Sequence, residues 1–303
     1  MRAAPVPTSP ARPSGASASP PVSSRASPSR VADRSESVKR PIGVFDSGVG
    51  GLSILRALRA ELPLEDFIYV ADSGFAPYGE RDDAFVIERA QRITRHLLGP
   101  NHLPIKTLVV ACNTATAAAI ALLRQGFPTL PIVGVEPALK PAVAVTHTRR
   151  IGVLATRGTL ASQKFKALLS SLAGQAEFVC TPCDGLADAI ERHDTAQIEA
   201  LCAQYIRATG QFGIQNGEID TLVLGCTHYP FAGDVFQSLV GPDVHLIDNG
   251  EPVARQTRRV LPHLAADANA GQVTLCATGD KTALAHACEH WLGWQLPVQS
   301  LTL

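Results

Sequence analysis

Two cysteines follow apolar segments of closely similar sequence, Leu108-Val-Val-Ala-Cys112 and Leu222-Val-Leu-Gly-Cys226. Each apolar run is typical of a buried β-strand, and the small polar residues after each cysteine favour the start of a helix. A thiol at the carboxyl end of a strand and the amino end of a helix is accessible and is stabilised as the thiolate. The duplication therefore predicts two acid/base groups that face each other across a cleft.

The imidazole of His228 lies two residues after Cys226, which leaves other kinds of chemistry open. Hydrolases use a Cys–His pair, and cysteine and histidine together bind zinc. A hydrolase would leave Cys112 without a role, and a zinc site needs about two further ligands, for which the chain shows no signature. The paired cysteines suit racemisation better, because a proton must leave one face of an α-carbon while another arrives at the opposite face.

A glycine-rich segment, residues 46–51 (Asp-Ser-Gly-Val-Gly-Gly), connects a predicted strand to a predicted helix. It lacks the lysine of a P-loop and the GxGxxG spacing, so a nucleotide site is not favoured. Its backbone amides and Ser47 would suit a carboxylate, while Asp46 either caps the helix or accepts a proton. Tyr78 lies in a later loop, and the sequence fits a position at the surface and a position on the wall of the cleft equally well.

Short apolar runs alternate with longer amphipathic segments from Pro41 onwards. The predicted strands are 42–45, 67–70, 107–111, 131–135, 151–154, 177–180 and 221–225, and the predicted helices are 52–62, 83–98, 114–123, 159–172 and a pair within 185–209. This alternation predicts an α/β fold whose parallel sheets are covered by helices. Because the pattern restarts near Ile151, we expect two pseudo-symmetric domains, each with a mostly parallel sheet, and an active site in the cleft between them.

The composition limits the classes of partner. The 303 residues fit two domains, and Lys+Arg and Asp+Glu balance at 27 each, so the charge indicates neither a nucleic acid nor a membrane partner. The seven cysteines, at 112, 180, 183, 202, 226, 276 and 288, form no disulfide framework, which favours the cytoplasm. Cys180 and Cys183 have CxxC spacing, but we interpret them as small residues at a strand-to-loop junction rather than as a redox or zinc motif.

Residues 1–40 differ in composition from the rest of the chain. They are rich in Ala, Pro, Ser and Arg and contain almost no large apolar side chains. An organellar transit peptide has a similar composition, but the segment lacks an amphipathic period. We therefore predict a disordered N-terminal extension, or translation from an upstream start codon.

Four blocks resemble the bacterial glutamate racemases, which belong to the cofactor-independent aspartate/glutamate racemase superfamily. The blocks lie in the order 42–52, 76–81, 110–115 and 224–230, and the resemblance extends over about residues 41–265. It implies racemisation of glutamate without pyridoxal phosphate, and a supply of D-glutamate for peptidoglycan. It also implies a first domain of residues 41–135 plus 244–303 and a second domain of residues 136–243.

The resemblance assigns roles to individual residues. It implies that Cys112 and Cys226 are the two acid/base residues, that Asp46 assists the first and His228 the second, and that Glu191 is a further catalytic residue. It implies substrate contacts from Asp46, Ser47, Tyr78, Gly79, Asn113, Thr114, Thr156, Thr227 and His228. No metal and no cofactor are expected.

Two alternatives remain open at this point. An aspartate racemase, or a broader amino-acid racemase, would differ in the size of its pocket, which the sequence does not indicate. A binding protein that kept the fold for a partner, as in the inhibition of DNA gyrase reported for some members, would not need both cysteines and both assisting residues. We expect a small-molecule substrate, glutamate, and a homodimer.

Overall fold

The computed structural model describes residues 40–100, 104–265 and 270–303. The predicted disordered extension lies outside the described residues, apart from Arg40. The strands are β1 Ile42–Asp46, β2 Phe67–Ala71, β3 Thr107–Val110, β4 Ile132–Gly134, β5 Arg150–Ala155, β6 Glu177–Pro182, β7 Thr221–Leu224, β8 His245–Ile247, β9 Val273–Ala277 and β10 Val298–Ser300. All pairings between these strands are parallel, as the alternating sequence pattern predicts.

The strands form two sheets that repeat the same order. The first sheet has the order β10-β9-β2-β1-β3-β4, and the second has the order β6-β5-β7-β8. In each sheet the first strand of the repeat is central, with the second strand on one side and the third and fourth on the other. Since β3 and β7 occupy equivalent positions, Cys112 and Cys226 follow equivalent strands. The predicted α/β fold with two similar parallel sheets is confirmed.

Helices cover both sheets. They are α1 Leu52–Glu61, α2 Asp83–Leu97, α3 Asn113–Gly126, α4 Leu139–Val145, α5 Arg157–Ala161, α6 Gln163–Ser170, α7 Leu186–Glu191, α8 Thr195–Thr209, α9 Gly233–Val240, α10 Gly250–Val260 and α11 Lys281–Leu292. The central strands β1, β3 and β7 are buried along their whole length, because helices pack on both of their faces. None of the helices in the described ranges combines the length and apolar character needed to cross a bilayer.

Two of the predicted helices differ in the structure. The helix predicted over 159–172 is two helices, because Ser162 breaks the first and caps the second by accepting a hydrogen bond from Phe165 N. Cys226 is followed by a short 3-10 turn, Tyr229–Ala232, and the α-helix begins only at Gly233. The strand β8 pairs with β7, and the chain returns to the first sheet after Ile247. The division into two domains stays a prediction.

Candidate active site

A cavity of about 600 Å³ is lined by residues that follow strands of both sheets. Such a position, outside the carboxyl ends of parallel strands, is where ligands bind in open α/β folds. The lining includes the predicted site residues Ser47, Tyr78, Gly79, Cys112, Asn113, Thr114, Thr156, Glu191, Cys226, Thr227 and His228. Asp46 is fully buried and does not line the cavity, so the structure places it behind the wall rather than against a ligand.

Cys112 ends the segment after β3 and caps helix α3. Its Sγ accepts a hydrogen bond from Ala115 N at 3.4 Å, which favours a negative sulfur. Burial and the neighbouring carboxylate of Asp46 outweigh that contact and raise the pKa of Cys112 to about 12. Desolvation therefore has a larger effect on the pKa of Cys112 than the helix terminus, which alone would favour the thiolate.

A chain of polar contacts leads from Cys112 into the protein. The thiol is positioned to donate to Ser47 Oγ at 3.9 Å, and Ser47 Oγ donates to Asp46 Oδ1 at 3.0 Å. Burial raises the pKa of Asp46, although the nearby His228 lowers it in part. A carboxyl group with a raised pKa can hold a proton, so this chain can receive the proton of Cys112.

A second chain of contacts leads from Cys226. His228 Nδ1 lies 3.7 Å from Cys226 Sγ, and His228 Nε2 lies 2.6 Å from Glu191 Oε1. Burial lowers the pKa of His228, but contacts with Cys226 and Glu191 outweigh burial and raise that pKa well above its ordinary value. Burial also disfavours a charged Glu191, yet His228 and a backbone amide lower the pKa of that carboxyl. His228 is therefore held as an imidazolium between a sulfur and a carboxylate.

The glycines of residues 46–51 make room for this second chain. A Cβ at Gly50 would lie 2.3 Å from His228 Nδ1, and a Cβ at Gly48 would lie 1.9 Å from Glu191 Oε1. The Val49 amide donates to Glu191 at 2.8 Å, and the Gly48 amide donates to Asp46 at 3.0 Å. These two amides are therefore occupied by carboxylates of the protein, and a contact between Ser47 and a ligand carboxylate stays a prediction.

Hydrogen bonds link the two chains of contacts across the cavity wall. Thr227, beside Cys226, donates its hydroxyl to Asp46 Oδ2 at 2.9 Å. Ser53 Oγ, on α1, donates to the carbonyl oxygen of Thr227 at 2.7 Å. Asp46, which serves Cys112, is thus attached to the loop that carries Cys226.

Tyr78 is buried and lines the cavity, which decides between the two positions left open by the sequence. Its hydroxyl donates to Asp72, whose two carboxylate oxygens also accept from Arg89 at 2.7 and 2.9 Å. Burial and the charge of Asp72 raise the pKa of Tyr78, so the phenol stays neutral. This network fixes the turn formed by residues 78–80, which makes one side of the cavity.

Asn113 lines the cavity and carries a buried donor. The residue is 4% exposed, and its Nδ2 atom has no hydrogen-bond partner among the described residues. A buried amide donor without a partner is costly, so it indicates a place where an acceptor on a ligand would be bound.

The cavity also includes residues that sequence reasoning missed. Cys183, Asp184 and Gly185 follow β6, and Arg157 begins α5. These residues could have been found from their position after β5 and β6. Those strands are equivalent to β1 and β2, which also precede predicted site residues. Within the described part of the chain, no group of three or more His, Cys, Asp or Glu residues is arranged to hold a metal ion.

Comparison with known proteins agrees with this architecture. Residues 52–257 match the family described as Asp/Glu/hydantoin racemase. A glutamate racemase of Ectopseudomonas mendocina is 51% identical over 223 residues, which cover 73% of this chain and 82% of that protein. A glutamate racemase of Ralstonia nicotianae is 48% identical over 242 residues, which cover 79% of this chain and 85% of that protein.

Solved structures give the same assignment. The crystal structure of a glutamate racemase isoform from Bacillus anthracis superposes with a TM-score of 0.77 at 33% identity, and the match covers 88% of this chain and 98% of that one. A Francisella tularensis glutamate racemase in complex with D-glutamate gives a TM-score of 0.73 at 26% identity, with 87% and 98% covered. The resemblance seen in the sequence is confirmed: the chain belongs to the Asp/Glu/hydantoin racemase family and is an amino-acid racemase.

Proposed function

We propose that this protein interconverts L- and D-glutamate by a two-base mechanism in which Cys112 and Cys226 act on opposite faces of the α-carbon. The observation that carries the proposal is that both thiols line one cavity, each with its own polar chain behind it. One residue does not readily serve both faces of a bound substrate, whereas two flanking groups do.

The surroundings of the two thiols differ, which suggests how turnover starts. Cys112 is a neutral thiol because its pKa is raised to about 12, and Cys226 lies beside the protonated His228. In one direction, the Cys226 thiolate takes the α-proton, and the electron pair of the broken C–H bond passes to the α-carbon. Cys112 then donates its proton to the opposite face, so that thiol and thiolate exchange roles.

The reverse direction requires Cys112 to lose its proton. The ammonium group of a bound amino acid would oppose the charge of Asp46, which is one cause of the raised pKa of Cys112. Ser47 and Asp46 offer a route for that proton, and on the other side the protonated His228 stabilises a negative Cys226 sulfur. Both directions then use the same pair of sulfur atoms.

Glutamate, rather than aspartate or another amino acid, is proposed on the names of the relatives and on the donors in the cavity. The relatives at 51% and 48% identity are glutamate racemases, and one solved relative is in complex with D-glutamate. The unpartnered Asn113 Nδ2 suits a substrate carboxylate. Arg157, paired with Asp184 at 2.5 Å, is the one permanently cationic side chain among the described residues that line the cavity.

Replacing Arg157 with alanine is expected to raise KM for L-glutamate by about fivefold with a smaller change in kcat, since exposed ion pairs are weak. The side chain is 68% exposed, and the other charged groups at the cavity include the carboxylates of Glu80, Asp184 and Asp188. The effect should diminish at high salt. The measurement is steady-state kinetics at two salt concentrations.

The matched control for this prediction lies at the opposite end of the same two strands. Arg150 on β5 pairs with Glu177 on β6, at 3.3 Å, and neither residue lines the cavity. Arg150→Ala should leave KM unchanged. An equal rise in KM for both variants would remove Arg157 from substrate capture.

The experiment that tests the proposed function is incubation of the wild-type protein with L-glutamate in deuterated water, without added cofactor. D-glutamate should appear, with deuterium at the α-carbon. A parallel panel of L-amino acids, followed by loss of circular dichroism, separates glutamate from aspartate. Absence of exchange, or a requirement for pyridoxal phosphate, would contradict the mechanism, and exchange confined to aspartate would contradict the substrate.

The proposed role is the supply of D-glutamate for peptidoglycan, in the cytoplasm. A binding protein that had lost its activity would not be expected to keep two cavity thiols with two complete polar chains. Assembly as a homodimer stays a prediction.

A further inference from the structure

The indole of Trp291 is stacked between two other rings. Its plane lies 13° from that of His193, at 5.4 Å between ring centroids, and 19° from that of Phe231, at 4.9 Å. His290 packs edge-on against both Trp291 and His193, at 4.4 and 4.7 Å. Trp291 Nε1 is buried and has no hydrogen-bond partner among the described residues, so the indole acts through its two faces.

The stack joins segments from different parts of the fold. Trp291 lies on α11, which packs against β9 and β10 of the first sheet. His193 follows α7, and Phe231 lies in the 3-10 turn after β7, so both belong to the second half of the chain. Trp291 accordingly packs against apolar clusters of both sheets.

Both neighbours of Trp291 are close in sequence to the second polar chain. His193 lies two residues after Glu191, and Phe231 lies three residues after His228. One indole thus stacks on residues from both segments that carry the Glu191–His228 hydrogen bond of 2.6 Å. Trp291 itself does not line the cavity.

We propose that Trp291 is a positioning residue that holds Glu191 against His228 by stacking between the segments that carry them. The inference rests on the proposed function only for its kinetic readout. If the indole is removed, the segment after α7 loses the surface that fixes it, and the Glu191 carboxylate is free to leave the imidazole.

The charged groups around His228 and His193 determine the direction in which the pKa of His228 is expected to change. His228 is faced by Cys226, Glu191 and Asp46, and His193 is faced by His290, His286 and Glu191. Only Glu191 belongs to both sets. Burial lowers the pKa of His228 when its partners are withdrawn, so His228 would lose its proton at a lower pH.

The test compares Trp291→Ala and Trp291→Leu with Trp291→Phe, which keeps a flat ring in the stack. The alanine and leucine variants should move the alkaline limb of the kcat/KM profile for glutamate to lower pH by about one unit. NMR titration of the His228 imidazole should show the same shift, without substrate. Trp291→Phe should stay close to the wild type in both measurements.

Trp294→Ala is the matched control. Trp294 lies just after α11, packs against the apolar cluster of the first sheet and lies under the Arg59 guanidinium at 4.6 Å. The ring contacts of the described residues do not join it to His193 or Phe231. The Trp294→Ala substitution should lower thermal stability and leave both the kcat/KM pH profile and the NMR titration of His228 unchanged. Titration of His228 at the wild-type pH in Trp291→Ala and Trp291→Leu, or an equal shift in Trp294→Ala, would overturn the inference. A wild-type protein that is inactive on glutamate would refute the proposed function and leave the NMR test in force.

Discussion

Alanine at either Cys112 or Cys226 is expected to reduce the racemisation of glutamate by at least about 100-fold, because one positioned acid/base group contributes about 10²–10⁴-fold to catalysis. The loss should be nearly as large for either variant, since a proton removed from one face has no donor on the other. Both residues are about 6% exposed, and removing a sulfur from the cavity wall leaves the sheets intact. The measurement is conversion of each enantiomer by circular dichroism.

The two variants should also differ in a way that loss of structure would not produce. A protein with one thiol can still remove the α-proton from the enantiomer whose C–H bond faces that thiol, and return a solvent-derived proton to the same face. In deuterated water, Cys112→Ala should therefore label one enantiomer without inversion, and Cys226→Ala should label the other. Mass spectrometry of the separated enantiomers measures this directly.

Cys276→Ala serves as the control for both variants. Cys276 is a buried thiol on β9, outside the cavity lining, and its replacement tests whether loss of any buried sulfur lowers activity. It should keep turnover close to that of the wild type. A cysteine whose alanine variant retains near-normal racemisation would have no part in the mechanism, and labelling of the same enantiomer by both variants would contradict opposite faces.

The positions of the two cysteines could be predicted because they depend on local patterns. An apolar run followed by small polar residues predicts a strand that ends at the cysteine, and parallel strands end at the same edge of a sheet. The repeat of the pattern near Ile151 predicts the second sheet, and the structure has the same strand order in both halves. The strands β8, β9 and β10 and the helices α4, α10 and α11 were not predicted; the three strands are only three to five residues long, which gives little periodic signal.

The charge states of the site could not be predicted from local pattern. The helix terminus at Cys112 favours a thiolate, but the pKa of Cys112 is raised because folding buries it beside Asp46. Taken alone, Gly48 and Gly50 indicate a ligand cradle. In the structure, these positions have no room for a side chain because Glu191 and His228 approach them from the other half of the chain. Both features depend on contacts between residues more than 60 positions apart, which no single window of sequence contains.

Replacing Glu191 with glutamine is expected to be the next most damaging change, because it removes the charge that keeps His228 protonated. Glu191 Oε1 accepts from His228 and from Val49 N, and the glutamine amide keeps the volume and one acceptor oxygen. Without the carboxylate, burial lowers the pKa of His228 from its raised value. Activity should be lost on the alkaline side at a pH about one unit or more below that of the wild type.

The alkaline limb moves to lower pH because the protonated form of His228 is the active form. In the wild type, His228 keeps its proton until the pH rises through its raised pKa, so the positive charge beside Cys226 is retained at neutral pH. In Glu191→Gln the same loss begins at lower pH, and kcat at neutral pH should fall by about 10- to 100-fold. Asp188→Asn, on the same helix and also at the cavity, removes a carboxylate that pairs with Arg192 rather than with His228. If that control variant shifted the pH profile as far as Glu191→Gln, the effect would be one of general charge, and the Glu191–His228 contact would have no special role.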